Sequence, residues 1–536
     1  MKKLITLAIV FFAMIPALAQ IHSSPSVKIL FVPLDDRPPC LQFTRQMGLI
    51  GDAHIVTPPK EFLGRFTTPG ESDKIISWLK QQDLRSFNAA IISLDMVVYG
   101  GLVGSRAHHV ETGLALQRIE VIREIHKKAP GLRLYVQNVI MRLAPTADGK
   151  NEAYRAALAK WAEISVNSDD KSKAETSILA SSIPAKALAS YRMARLRNVQ
   201  INLKAVQFVQ SGIIDFLILS QDDAKPIGIH VAERLKLVAA IKKAGLTNKI
   251  AVQPGADEVS MLLLARALNQ HYRFLPKIKP VYSSAVAANN VMPFEDKPLK
   301  ETVSYHIKAT GSQEVENENQ ADLLFYVFAS RHETGRAASF AAEIEDRVRQ
   351  GNRVIVADID PVGNVQGGDS AFTNELGRRG LFPELNGYAS WNTAANTIGT
   401  TLPQGIIFIL SERKLLNNKA IADRIWTAQN WFTFHRILDD YYFHGLERLN
   451  LNKHFGQDKL SSKILDDSTN KQVENYATEL LLKSFNELSN LYAHKMATSR
   501  QKNVSCQQPS NMNFKLPWNR TFEAEINFDM QCSLNR

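Results

Sequence analysis

Pairs of acidic residues follow three apolar runs of the sequence, and they are the residues best suited to chemistry. The pairs are Asp35 and Asp36, Asp222 and Asp223, and Asp257 and Glu258. Paired carboxyl groups can divide general acid, general base or nucleophilic work between them. Any one of Asp222, Asp223 and Asp257 could equally be a cap of the following helix. Because a helix needs only one cap, two adjacent acids at successive turns favour a chemical role.

The elements that must position these acids alternate between strands and helices. The apolar runs 213–220 and 249–253 are typical of buried strands, and each is followed by a polar turn and a helical pattern. Similar strands are predicted at 27–34, 88–95 and 133–140. We therefore expect an α/β fold of mainly parallel strands with crossover helices, either barrel-like or doubly wound. Ligands bind at the carboxyl ends of such strands, which is where the acidic pairs lie.

The chain divides into four predicted segments. Residues 1–19 have a basic start, an apolar run and a small-residue ending, which is the pattern of a secretory signal peptide. We therefore expect a periplasmic or secreted protein. The rest is predicted to form an N-terminal α/β domain at 20–295, a second, smaller α/β domain at 296–411 with a strand at 405–410, and a mainly helical region at 412–536. No later apolar stretch approaches the roughly 20 residues of a membrane span.

The chain has a moderate positive charge and three cysteines. The formal charge is +11, of which the two lysines of the predicted signal peptide contribute two, leaving +9. This charge forms no basic block with interleaved aromatic residues, so nucleic acid is not an expected partner. If Cys506 and Cys532 paired, they would tie down the carboxyl-terminal tail and leave Cys40 free. Whether they pair is left open.

Glycine-rich and amide-rich segments supply further candidates for ligand contacts. Asp95, Tyr99 and Arg106 accompany three glycines in a segment that we interpret as a loop, where glycine lets the backbone approach a ligand. This segment lacks the Gly-Lys-Ser/Thr ending of a phosphate loop. Asn392 and Asn396, four residues apart, share a helix face.

Two aspartates and a tryptophan of the predicted second domain are further candidates. Asp358 and Asp360 have a spacing that can hold a hard cation such as magnesium or calcium. Trp391, next to Asn392, could offer a face to a sugar ring, but an aromatic residue at the start of a helix is more often part of the core. The tail strand predicted at 522–528 is assigned a structural role.

Several motifs in a fixed order carry a family resemblance. They are Val32-Pro33-Leu34-Asp35-Asp36-Arg37-Pro38, Ser93-Leu94-Asp95, Gln221-Asp222-Asp223, Pro254-Gly255-Ala256-Asp257-Glu258 and Gly387-Tyr388-Ala389-Ser390-Trp391-Asn392-Thr393-Ala394-Ala395-Asn396. With these motifs the chain resembles the bacterial domain-of-unknown-function family DUF4127, from the start of the mature protein to about Asn450. Cys40 departs from the Asn expected after the first motif. The resemblance implies no particular activity, so function must be argued from the residues.

Carboxylates, amides and aromatic rings together are typical of a carbohydrate site, and we expect a glycoside hydrolase acting on a glycan. The catalytic pair is predicted among Asp222, Asp223, Asp257 and Glu258. Substrate would be bound by Asp35, Asp36, Arg37, Asp95, Tyr99, Arg106, Asp360, Trp391, Asn392 and Asn396. This mechanism needs no cofactor. Two alternatives are a metal-dependent hydrolase of an envelope polymer, which would use a divalent cation, and a periplasmic solute-binding protein.

Overall fold

The computed structural model describes residues 25, 27–363, 367–456, 464–498 and 504–535. The signal peptide predicted at residues 1–19 lies outside the described residues. In the described part of the chain, no helix combines the length and the apolar character needed to span a bilayer.

Six parallel strands form the first sheet. They are β1 (Val27–Val32), β2 (Ala53–Val56), β3 (Ala89–Ser93), β4 (Arg133–Ile140), β5 (Phe216–Gln221) and β6 (Ile250–Pro254), and their order across the sheet is β2-β1-β3-β4-β5-β6. Every residue of β3 and β5 is buried. Helices cover both faces of such a sheet, so its strands are continuous apolar runs rather than alternating ones.

Five parallel strands form the second sheet. They are β7 (Lys277–Tyr282), β8 (Gln313–Glu314), β9 (Leu323–Phe328), β10 (Val354–Asp358) and β11 (Gly387–Ala389), in the order β8-β7-β9-β10-β11. In both sheets the second strand lies outside the first, and the later strands follow on the other side. Both sheets are open, so the α/β fold with parallel strands is confirmed in its doubly wound form rather than as a barrel. The order reverses beside the first strand, which is where such folds bind ligands.

The connecting helices account for most of the remaining chain before residue 415. Those of the first sheet are α1 (Gln42–Ile50), α2 (Ser72–Gln81), α3 (Leu94–Tyr99), α4 (Leu102–Ser105), α5 (Thr112–Ile119), α6 (Val121–Lys128), α7 (Glu152–Ile164), α8 (Asp170–Ser182), α9 (Ala185–Gln210), α10 (Ile229–Lys243) and α11 (Val259–His271). Those of the second sheet are α12 (Ala285–Asn289), α13 (Leu299–Ala309), α14 (Arg336–Arg349), α15 (Ser370–Arg378) and α16 (Ala394–Lys414). Short 3₁₀ turns occur at Lys60–Leu63, Leu84–Ser86, Glu318–Gln320 and Phe382–Glu384.

Two local predictions were wrong. The predicted strand at 405–410 is the end of the 21-residue helix α16, of which every residue from Ala394 to Ser411 is buried. A helix buried on all sides loses its amphipathic period, so a short apolar part of it resembles a strand. The predicted glycine-rich loop contains the helices α3 and α4, with Gly100 and Gly101 at positive φ between them.

The two sheets share one hydrophobic core. Leu219 of β5 and Leu268 of α11 belong to the same continuous cluster as Val356 of β10 and Ile407 of α16. Strand β7 falls inside the segment predicted as the N-terminal domain, yet it pairs with β8 and β9 in the second sheet. The sheets therefore divide between β6 and β7, and no separate core marks that division.

A helical region and a tail of short strands complete the chain. The helices are α17 (Lys419–Arg436), a π-helix (Ile437–Glu447), α18 (Arg448–His454) and α19 (Asp467–Thr498). The tail strands pair antiparallel, β12 (Val504–Cys506) with β15 (Cys532–Leu534) and β13 (Ser510–Lys515) with β14 (Glu525–Asp529). Cys506 and Cys532 form a disulfide, and Cys40 is free and buried.

We predict that the double variant C506S/C532S is less stable than the wild type by about 3 kcal/mol, because the disulfide restricts the unfolded chain over a separation of 26 residues. Urea unfolding in oxidising buffer measures the difference. Adding a reductant should lower the stability of the wild type to that of the variant and leave the variant unchanged. Equal unfolding midpoints in oxidising buffer would contradict the prediction.

Candidate active site

A cavity of about 260 Å³ opens at the carboxyl ends of the first-sheet strands. Both sheets and the tail contribute to its wall. The charged and amide side chains that line it are Arg37, Arg106, Arg142, Arg155, Asp222, Asp223, Asp257, Asn392, Asn396 and Arg520. Three of the four predicted catalytic acids and the two predicted asparagines therefore meet in one site, although they are up to 174 residues apart in sequence.

Arg37 lies at one side of this cavity and binds acids from three parts of the chain. Its guanidinium donates to the Asp35 carboxylate at 2.7 Å and to the Asp257 carboxylate at 2.6 and 3.1 Å. It also donates to Glu523 of the tail at 3.3 Å and lies 4.6 Å from the centre of the Trp518 ring. The Arg37 side chain is only 5% exposed, so water does not screen these charges. One buried cation thus joins the loops after β1 and β6 to the tail.

The other acidic pair is held by two more arginines. Arg106 donates to the Asp222 carboxylate at 2.5 Å and to the Thr146 hydroxyl at 2.9 Å. Arg142, which follows β4, donates to the Asp223 carboxylate at 2.6 Å. The loops after β3, β4 and β5 are therefore tied together by ion pairs along the cavity wall.

These acids do not cap helices. Helix α10 begins after Gly228 and helix α11 after Glu258, and neither cap residue makes a side-chain hydrogen bond to its helix. Asp222 and Asp223 instead bind arginines, as Asp257 does. The alternative of a capping role is therefore wrong for all three. At the start of α16 the cap is Thr393, whose side chain accepts a hydrogen bond from the backbone N–H of Asn396. Asn392 is therefore not a cap either.

Glu258, the fourth predicted catalytic acid, is fully buried and does not line the cavity. Its carboxylate accepts from the Asn396 side chain at 2.7 Å and from the Ala256 backbone at 3.0 Å. It packs on two glycines: a Cβ at Gly255, where φ is +109°, would lie 1.7 Å from a Glu258 oxygen, and one at Gly399 would lie 2.1 Å from its Cγ. Glu258 therefore connects the loop after β6 to helix α16 of the second sheet.

Several predicted substrate-binding residues lie outside the cavity wall. Asp35 and Asp36 are buried behind it, where Asp36 accepts from the Trp518 indole at 2.7 Å. Asp95 accepts from the Val139 backbone, and Tyr99 packs its ring 4.1 Å from the Arg197 guanidinium carbon. Both residues are buried.

The second-sheet candidates Asp360 and Trp391 are also outside this wall. Asp360 accepts from the Val362 backbone, and its neighbour Asp358 is buried against Arg331 at 2.9 Å. Trp391 donates to the Thr400 hydroxyl and packs edge-on against Phe43, in agreement with a place in the core. The loops after β10 and β11 thus have their own structural partners.

Three arginines and two aromatic residues of the tail are among the cavity-lining residues that were not predicted. They are Arg142, Arg155, Trp518, Arg520 and Phe522. The tail reaches the site because β14 pairs with β13 and the disulfide closes the segment that carries Trp518, Arg520 and Phe522. No local motif surrounds these residues. For the three arginines, the available signal was their charge, since buried acids require cations.

Backbone strain is concentrated around the cavity. Eight non-glycine residues in the described part of the chain have positive φ, and four of them line the cavity. These four are Phe66, Asp223, Phe294 and Asn392, with φ between 40° and 64°. Such conformations are costly for residues with a Cβ and cluster at functional sites. Two of them, Asp223 and Asn392, were predicted site residues.

Burial raises the pKa of three of the acids. It raises the pKa of Asp257 to about 6, an effect that the charge of Arg37 partly offsets. Burial also raises the pKa of Asp36 to about 6 and that of Asp95 to about 7. A carboxyl group with a pKa near neutrality can hold a proton and release it, which is what a general acid requires. Of these three residues, Asp257 is the one that reaches the cavity.

One cluster among the described residues has the spacing of a metal site. Ligand atoms of Asp35, Cys40 and Asp257 lie within 4.8 Å of one another. The Arg37 guanidinium, however, binds both carboxylates of this cluster, so a cation would have to displace it. Burial also raises the pKa of the Cys40 thiol, which disfavours the thiolate that binds metals. These residues do not fit a divalent cation.

A second cavity, of about 190 Å³, adjoins the first. The two share Val103, Arg106 and Thr146 in their walls. Tyr154 and Tyr191 line the second cavity, together with Asn151. The two cavities together can hold a ligand that is larger than either cavity alone would admit.

We predict that Arg37→Met lowers the free energy of unfolding by about 3–5 kcal/mol, because it leaves buried carboxylates without a counter-charge. Lys60→Met is the matched control: Lys60 pairs with Glu525, but its side chain is 54% exposed, so its loss should cost less than about 1 kcal/mol. Urea unfolding measures both variants. Similar unfolding midpoints for the two would show that Arg37 does not organise the site.

We also predict that Asp95→Asn gains stability relative to the wild type as the pH rises from about 4 to about 7. Burial raises the pKa of Asp95 to about 7, so the folded state retains a proton that the unfolded state has lost, and the wild type is progressively destabilised over this range. Thermal unfolding at pH 4, 5.5 and 8 measures the effect. Asp73→Asn, which removes an exposed carboxylate paired with Arg118, is the control, and its difference from the wild type should change much less with pH. A difference for Asp95→Asn that does not change with pH would contradict the prediction.

Comparison with known proteins gives one result on identity. No curated protein matches the sequence. A family described as protein of unknown function (DUF4127) matches residues 29–527, which is nearly the whole chain. The matched span includes every residue that lines the cavity. The chain therefore belongs to the DUF4127 family.

Proposed function

We propose that this protein is an exported hydrolase that cleaves a glycan in the cavity at the carboxyl ends of the first sheet. The observation that carries the proposal is the meeting of Asp257 with Asp222 and Asp223 in one enclosed site. These carboxyl groups have different surroundings, and glycoside hydrolysis requires two carboxyl groups with different roles.

Asp257 is the candidate general acid. Its pKa of about 6 lets part of the population carry a proton near neutrality, and it reaches the cavity from the loop after β6. In this role it gives its proton to the leaving oxygen as the glycosidic bond breaks. Arg37 holds the carboxyl group in place through two hydrogen bonds and stabilises the carboxylate that remains.

Asp222 or Asp223 is the candidate partner, either as a base that activates water or as a nucleophile that attacks the anomeric carbon. Arg106 and Arg142 fix their orientations. The positive φ of Asp223 holds its carboxylate in a strained position beside the cavity. Asn392, which Asn396 holds through a hydrogen bond of 2.8 Å, supplies an amide group for sugar hydroxyls. The adjoining cavity gives room for a further sugar unit.

A solute-binding protein is the second candidate, favoured by one observation. Each cavity aspartate is already paired with an arginine, which is also expected of a site that only binds. Against it, the two sheets share a continuous core rather than forming two lobes that close on a ligand. Tight ligand binding without turnover would favour this second function.

We predict that Asp257→Asn lowers kcat/KM at least about 100-fold, because it removes the general acid. The measurement is release of sugar from a panel of chromogenic glycosides and envelope glycans, with and without a chelator. Wild-type activity should resist the chelator and fall as the pH rises through about 6, when Asp257 loses its proton. Asp73→Asn, an exposed aspartate, is the control and should match the wild type.

Two outcomes would overturn the proposal. If no glycan in the panel is hydrolysed, the carboxylate mechanism lacks a substrate and the binding function gains support. If Asp257→Asn retains wild-type turnover, Asp257 is not the acid and the assignment fails.

A further inference from the structure

The cavity wall carries more positive than negative charge. Its lining includes five arginines but three aspartates. The arginines are Arg37, Arg106, Arg142, Arg155 and Arg520. Four of the five are paired. Arg37 binds Asp257, Arg106 binds Asp222, Arg142 binds Asp223, and Arg520 binds Glu523 behind the wall. The surplus lies on the side formed by the loop after β4 and helix α7.

Arg155 is the unpaired member of this set. It extends from α7 and donates through Nε to the Pro145 carbonyl at 3.0 Å. Among the residues that the structure describes, no carboxylate lies within ion-pair distance of it. An arginine has five N–H donors, so most of the hydrogen-bonding capacity of Arg155 is not used by that single carbonyl.

Arg155 is also close to other positive charge. Burial lowers the pKa of Arg155 and the charge of Arg142 lowers it further, whereas the charges of Asp223, Glu152 and Asp148 partly offset this. The pKa of Arg106 is lowered by the same two causes. Three guanidinium groups thus face one part of the cavity. Asp222 and Asp223 form ion pairs with Arg106 and Arg142, which leaves the Arg155 guanidinium without an ion pair among the described residues. A bound anion could accept bidentate hydrogen bonds from the guanidinium donors that Arg155 leaves unused.

We propose that Arg155, with Arg142 beside it, forms a subsite for an anionic group of the ligand, so that the substrate class is an acidic saccharide. This inference rests on the proposed function for the saccharide part, and on the arginines alone for the anionic part. The anion is a carboxylate, as in a uronic acid, or a phosphate ester, since both present the paired oxygens that a guanidinium recognises. Thr146 and Asn392, which line the same cavity, suit the hydroxyl groups of the sugar.

The first test is calorimetric binding of four probes to the purified wild-type protein: D-glucuronate, glucose 6-phosphate, glucose and inorganic phosphate. We expect at least one of the two acidic sugars to bind about tenfold or more tightly than glucose, because charge-assisted hydrogen bonds are the stronger ones. The preferred acidic sugar identifies the anion as carboxylate or phosphate. Inorganic phosphate that binds as tightly as both sugars would show an anion site without saccharide recognition. Equal binding of acidic sugars and glucose would overturn the proposal.

The second test uses matched variants. Arg155→Gln should weaken binding of the preferred acidic sugar about tenfold or more and weaken binding of glucose much less. Arg155→Lys should retain part of the affinity, because it keeps the charge but loses the planar fork. Arg192→Gln is the control: Arg192 is exposed and packs on Trp161 outside the cavity, and its loss removes the same charge. If Arg155→Gln behaves as Arg192→Gln does, the subsite is not at Arg155.

These measurements separate the two proposals. Selective binding of an acidic sugar without hydrolysis would retain the anionic subsite and reject the glycosidase. Hydrolysis of neutral glycans with no preference for acidic ones would retain the glycosidase and reject the subsite. Thermal unfolding of Arg155→Gln serves as the folding check, and Arg155→Lys gives the answer if that variant is unstable.

Discussion

The buried guanidinium of Arg37 is the interaction on which the candidate site depends. It binds Asp35, Asp257 and Glu523, which lie in the first loop of the chain, in the loop after β6 and in the tail. Removing such charges from water is costly, and only mutual pairing offsets that cost. The three segments must therefore come together for any of them to be stable. The same requirement places Asp257 at the cavity and brings Trp518 over Arg37.

A second constraint makes the site a joint product of both sheets. Glu258 and Asn396 are hydrogen bonded at 2.7 Å in a fully buried position, and Gly255 and Gly399 leave the space that the Glu258 side chain needs. Because this contact lies within a continuous core, the asparagines of the second sheet are held rigidly against the acids of the first. Polar groups that are held in place in this way suit a catalytic site better than a site that forms by domain closure.

Much of the fold was predictable because parallel strands buried on both faces leave a clear mark in the sequence. The strand predicted at 133–140 coincides with β4 (Arg133–Ile140), and the acidic turns lie at strand ends as expected. The predictions failed where burial removes the pattern, as in helix α16, and where a strand carries lysine and proline, as in β7 (Lys277–Tyr282). The predicted residues that line the cavity are Arg37, Arg106, Asp222, Asp223, Asp257, Asn392 and Asn396. The arginines that were missed are Arg142, Arg155 and Arg520.

Three features could be predicted from the amino-acid sequence alone: the class of fold, the strand-end position of the acidic pairs and the family to which the chain belongs. Those features are local, since they depend on hydrophobic period and on residues adjacent in the chain. Tertiary structure alone decided which acids reach the cavity, because burial and ion pairing involve partners far away in sequence. It turned Glu258 inward to Asn396, and it brought Arg520 from the tail to a cavity that it shares with Arg155. The charge of the cavity is a property of that convergence.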